Sequence, residues 1–98
     1  MAKILVVEDD QDLNRIITKS LRDRGYDVTS ALNGLDALEK TEGVRFDMIL
    51  TDIMMPKMDG FALAEEIRLL NKQVPILFMT AKDDKPSKLY AYKLGADD

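Results

Sequence analysis

The chain contains no cysteine and no histidine. Without thiols it forms no disulfide and offers no thiolate metal site. Without imidazole it lacks the side chain best suited to acid–base work near neutral pH and to many metal sites. No apolar run approaches the roughly 20 residues needed to span a bilayer. The opening "MAKILVVEDD" meets acid too soon for a secretory leader. The 14 Lys and Arg are outnumbered by 18 Asp and Glu, and the resulting net charge of -4 argues against nucleic-acid binding by this chain. No low-complexity linker divides the 98 residues, so a single domain over 1–98 is expected. Taken together, these absences predict a cytoplasmic protein whose chemistry runs on carboxylates, hydroxyls and backbone groups.

What is present is 46% hydrophobic and 33% charged, the mixture of a globular domain. "KILVVE" (3–8) is a continuous apolar run rich in β-branched residues and reads as a strand buried on both faces. Leu13, Ile16, Ile17 and Leu21 then recur at helical spacing, with Asp9 or Asp10 as a cap and Gly25 as a stop. "YDVTSA" (26–31) alternates like a more exposed strand. Asn33-Gly34 makes a turn before Leu35, Ala37 and Leu38 begin a weaker helix. "FDMILT" (46–51) and "PILFMT" (75–80) are further buried strands. Between them Phe61, Ala64, Ile67 and Leu70 outline one helix face. Pro86 suits the first turn of a fourth helix over 86–95, which would carry Leu89, Tyr90, Lys93 and Leu94. Strands alternating with helices predict a doubly wound α/β domain with a parallel sheet. Such sheets place their sites at the carboxyl ends of the strands.

The residues at those ends are mostly acids. The first strand closes on Glu8, Asp9 and Asp10, the third on Asp52, and the fourth on Thr80-Ala81. Taken singly, each has a plain explanation. Asp9 and Asp10 suit helix caps, and Asp52 suits a turn before Pro56. Thr80 is a β-former, and Asp59-Gly60 is a turn and cap. Met54, Met55 and Met58 suit packing better than ligation. It is the joint arrangement that points to a site. Carboxylates crowded at one sheet edge repel one another unless a cation joins them. Oxygen ligands without His or Cys favour Mg2+.

"ILVVEDD", "MILTDIMMPKMDG", "ILFMTA" and "LGADD", in that order, resemble the receiver domain of two-component response regulators over essentially the whole chain. "KLGADD" is similar to the branch joined to winged-helix DNA-binding domains, the OmpR/PhoB group. The resemblance implies a flavodoxin-like (CheY-like) three-layer α/β/α fold with strand order 2-1-3-4. It implies transfer of a phosphoryl group from a histidine kinase, or from a small phosphodonor, onto Asp52. Asp9, Asp52 and the Met54 backbone carbonyl would hold Mg2+ directly, and Glu8 through a water. The Thr80 hydroxyl would bind the phosphoryl group, and the small Ala81 would leave it room. The protein would then be a phosphoacceptor that switches a transcriptional output, not a turnover enzyme.

The family continues into a fifth strand with a Lys-Pro pair and a fifth helix. Neither is matched before Asp98, and Lys82 and Lys85 do not replace that lysine. The chain is therefore expected to be a shortened receiver with little phosphorylation. Its fourth strand would be an open, apolar edge that pairs with a second copy through strand 4 or helix 4. Three other readings remain open. A haloacid dehalogenase-type phosphatase would use Asp10-Gln11-Asp12, although Leu13 and Asn14 do not continue its motif. A flavodoxin-like cofactor binder needs a Ser/Thr/Gly-rich phosphate loop where this chain is acidic. An adaptor would use no chemistry at all.

Overall fold

Strand β1 (Lys3–Val7) is buried at every position after Lys3, and its alternate residues serve two different cores. Leu5 and Val7 point to one face of the sheet, Ile4 and Val6 to the other. A continuous apolar run is thus what a strand covered on both sides requires. The computed structural model describes residues 1–53, 55, 58–70, 73–80 and 90–94, with residue 80 and residues 90–94 described by backbone alone.

The remaining elements are α1 (Gln11–Asp23), β2 (Asp27–Ala31), α2 (Gly34–Thr41), β3 (Met48–Asp52), α3 (Gly60–Leu70), β4 (Ile76–Thr80) and β5 (Tyr90–Leu94). The sheet order is β2-β1-β3-β4-β5. The first four strands are parallel, in the expected 2-1-3-4 order, and β5 runs antiparallel to β4. Ile17 and Leu21 of α1 pack on Ile4, Val6 and Val28. On the opposite face Ala37 and Leu38 of α2 and Leu63, Ala64 and Ile67 of α3 close over Leu5, Val7, Ile49, Ile76 and Phe78. The result is three layers, with α1 on one side of the sheet and α2 and α3 on the other.

Three helix faces differ from the apolar spacing. In α1 the most buried positions are Asn14 and Thr18, while Ile16 is 62% exposed. In α2 Leu35 is exposed. In α3 Phe61 and Leu70 are exposed and Leu63 takes their place in the core. Phe61 instead lays its ring against Phe78, 4.7 Å between centroids. A helix tilted on a twisted sheet presents a narrow stripe, so apolar residues at the margin of the stripe stay wet.

Segment 90–94 corrects the expected fourth helix. It is a strand, and β4 is therefore not an open edge. The physical reason lies in β4 itself. Its side chains are apolar on both faces, and an unpaired row of N–H and C=O groups beside them demands a partner. "YAYKL" supplies one, with β-favouring tyrosines at alternate positions. Pro86 and Leu89 lie outside the described residues.

The free edge of β2 is closed by side chains. Asp27 N–H and the Ala31 carbonyl bond toward β1, so the Val28 and Ser30 carbonyls face outward. Arg22 of α1 donates to the Val28 carbonyl at 2.9 Å, and Lys40 of α2 to that of Ser30 at 2.7 Å.

Candidate functional site

Strand register brings the acids together. β1 and β3 pair through Val7 and Thr51, and one step further puts Glu8 level with Asp52. Glu8, Asp9 and Asp52 each offer a carboxylate oxygen, and these oxygens lie within 4.8 Å of one another. Glu8 is 3% exposed, Asp52 half-buried and Asp9 exposed. Asp10 stands outside the group. It caps α1, its Oδ1 accepting from the Asp12 and Leu13 N–H groups at 3.0 and 3.1 Å. Its own N–H donates to the Glu8 carboxylate at 2.9 Å.

Burial pushes the Glu8 carboxyl up to about 7. The Asp10 N–H pulls it down, and the neighbouring Asp52 and Asp9 carboxylates push it up again. A carboxyl with this environment holds its charge poorly until a cation arrives. The donors are all carboxylate oxygens, which suits a small hard ion such as Mg2+ and not a thiolate- or imidazole-seeking metal.

Asp52 is placed by what surrounds its backbone. The buried Thr51 hydroxyl donates to the Asp52 carbonyl at 3.0 Å. Ile53 N–H donates to the Met79 carbonyl at 3.2 Å, tying the chain after Asp52 to β4. Gly60 N–H donates to the Ile53 carbonyl at 2.8 Å. A Cβ on Gly60 would run into the Asp52 carbonyl oxygen and stand 3.0 Å from Ile53 Cα. The glycine is thus required by close approach to the acid-bearing strand. Asp59 caps α3 through the Ala62 N–H at 2.8 Å, as expected of Asp59-Gly60. Ile53, Met55 and Met58 pack against the core. Gly34 at the start of α2 is pressed against Met58.

Thr80 ends β4, one residue past Met79, which pairs with Asp52. Its backbone therefore stands at the same sheet edge as the acids. Met54, Pro56 and Ala81 lie outside the described residues. Asn14 had no place in the motif reading. Its signal was a polar residue at the spacing of a buried helix stripe. A cavity of about 400 Å³ between Phe46, Ile67, Leu70 and Val74 has no carboxylate among its lining residues. Among the described residues no helix is long and apolar enough to cross a membrane.

A family described as the response regulator receiver domain matches residues 4–98. Over 96 residues the chain is 41% identical to the alkaline phosphatase synthesis transcriptional regulatory protein PhoP of Bacillus subtilis, covering 98% of this chain and 40% of that protein. It is 37% identical over 98 residues to the transcriptional regulatory protein PcoR of Escherichia coli, covering 100% of this chain and 43% of that one. The chain thus spans about two fifths of the length of these relatives. Among solved structures it is similar to the response regulator protein TrrA of Thermotoga maritima in complex with Mg2+-BeF, at 34% identity and a TM-score of 0.80 over 90% of this chain and 76% of that one. The chemotaxis response regulator CheY4 of Vibrio cholerae is similar at 37% identity and a TM-score of 0.80, over 90% of this chain and 75% of that one.

Proposed function

The chain belongs to the response regulator receiver family, and from that membership we propose that it is a phosphoacceptor taking a phosphoryl group from a histidine kinase onto Asp52. The observation that carries this reading is the register that sets Asp52 level with Glu8, the oxygens of Glu8, Asp9 and Asp52 converging within 4.8 Å. A receiver needs that convergence. Neither a phosphatase of the dehalogenase type nor a flavodoxin is favoured by the family match.

Asp9 and Asp52 would hold Mg2+ directly, with the Met54 carbonyl, and Glu8 would act through a water. When bound, Mg2+ supplies positive charge between the carboxylates and the phosphoryl oxygens. A carboxylate is a weak nucleophile, and phosphoryl transfer asks mainly for positioning and charge balance. Asp52 provides the position, on a strand end clamped by Thr51, Gly60 and β4. One of its oxygens forms the new bond to phosphorus as the phosphorus–nitrogen bond of the donor breaks. The electron pair leaves with the imidazole nitrogen. The Thr80 hydroxyl would then bind a phosphoryl oxygen, with Ala81 leaving space. Water later cleaves the acyl phosphate and restores Asp52. The role is that of an acceptor rather than a turnover enzyme.

The relatives are named transcriptional regulators, which supports a cytoplasmic regulator whose DNA contacts come from outside the residues present here. A homodimer made by pairing β4 to a second copy has no free backbone to use, because β5 occupies that edge. The deciding experiment is mass spectrometry after incubation with a small phosphodonor and Mg2+. One phosphoryl group labile to hydroxylamine is expected on Asp52, absent in Asp52→Ala and without Mg2+. An acyl phosphate on Asp10 or Asp59 would defeat the assignment.

A further inference from the structure

Glu8 is held by all of its polar groups. Its N–H donates to the Ala31 carbonyl at 3.1 Å, and its carboxylate accepts from Asp10 N–H at 2.9 Å. Its carbonyl accepts from Asn14 Nδ2 at 3.0 Å. That third bond comes from a side chain one helical turn into α1. The same Nδ2 also donates to the Ala31 carbonyl at 3.0 Å. The Asn14 Oδ1 accepts from the Thr18 hydroxyl at 3.2 Å. Asn14 is 4% exposed and Thr18 7%. The two carbonyls only accept, so they fix which end of the amide faces them, and the Thr18 hydroxyl then satisfies the Oδ1 left on the other side.

From this geometry we infer that Asn14, backed by Thr18, is a positioning residue for the carboxylate site, locking the Glu8–Asp9 peptide plane. The inference rests on the Mg2+ site read above. The Glu8 carbonyl belongs to the peptide that leads into Asp9, so its direction sets where the Asp9 backbone starts. β1 and β2 stop pairing at this point, and no further rung of the ladder holds that carbonyl. The Asn14 amide takes the place of the missing rung. An aspartate of the same size could not donate, and would set a carboxylate against two carbonyl oxygens. A leucine would fill the space and leave the Glu8 carbonyl unpartnered. Groups that orient metal ligands from behind typically carry about 10–100-fold in metal affinity.

The test uses the whole chain, with Mg2+ affinity by calorimetry, amide exchange at Asp9 and Asp10, and the urea midpoint. Asn14→Ala should weaken Mg2+ by about tenfold or more and speed exchange at both amides, with or without the metal. Thr18→Val should do the same to a smaller degree, and Thr18→Ser, which keeps the hydroxyl, should restore wild-type affinity. Val28→Ala serves as a control of matched stability, since Val28 packs under α1 away from the acids. It should lower the midpoint and leave Mg2+ affinity unchanged. If Asn14→Ala does not fold, the contrast between Thr18→Val and Thr18→Ser decides. Folded Asn14→Ala and Thr18→Val proteins that bind Mg2+ as wild type does would overturn the inference while leaving the site intact. An equal loss in Val28→Ala would also overturn it. A wild type that binds no Mg2+ would overturn the site reading and this inference with it.

Discussion

At 3% exposure the Glu8 carboxyl has almost no water of its own, and two further carboxylates stand beside it. Its protonation therefore belongs to the fold. Burial raises the folded group to about 7, whereas the unfolded chain titrates in the ordinary carboxylate range. Between those values the folded state binds a proton that the unfolded state has lost. Stability from this group is full at low pH and falls as pH rises through about 7. The span is worth at most about 3–4 kcal/mol. In chelator, thermal unfolding should thus lose stability between about pH 4.5 and pH 7. Glu8→Gln should flatten that slope, and so should saturating Mg2+, which favours the charged form. A slope unchanged by both would show that Glu8 does not titrate in the native state.

The element that sets Asp52 is α3, through its first residue. Helix α3 cannot approach β3 as closely with any side chain on Gly60, because a Cβ meets the Asp52 carbonyl. Gly60→Ala must push the helix start outward or twist the strand end. It should cost about 1–3 kcal/mol by overpacking. A distinct consequence is local, since Leu63, Ala64 and Ile67 ride on the same helix and support the core beneath the site. Labelling of Asp52 should fall further than the loss of folded protein accounts for. Urea titration and acyl-phosphate yield on the same samples check this. Equal yield per folded molecule would mean that the close approach serves packing alone.

Among the described residues the sheet has two outer strands, β2 and β5. The β2 edge is capped from both layers, by Arg22 of α1 and Lys40 of α2, each bonded to an outward carbonyl. Both faces thus cooperate to deny that edge to another chain, a common remedy for exposed strands. Asp36 steadies Lys40 from 3.2 Å. Replacing Arg22 and Lys40 together by alanine should open the edge and raise self-association. Light scattering over a concentration series would detect it, with wild type as reference. No change in mass between the two would show that capping is not what limits pairing at β2.

The alternation of apolar strands and helical stripes was legible in the chain itself, because period is a local property. So were the cap at Asp59, a cap at Asp9 or Asp10, the parallel sheet that follows from β–α alternation, and the acids at strand ends, whereas the strand order came with the family resemblance. Family motifs added which acid should accept the phosphoryl group. Three things needed the tertiary structure. The stripe of each helix shifted, as Ile16, Phe61 and Leu70 show, because tilt on a twisted sheet decides which marginal residues are covered. Residues 90–94 became a strand instead of a helix turn, because pairing beside β4 satisfies backbone groups that no local preference counts. Asn14 became the support of Glu8, because a buried amide between two carbonyls has meaning only when two strands and a helix meet. Sequence determines what each residue can bond, and tertiary contact alone decides which bonds are demanded.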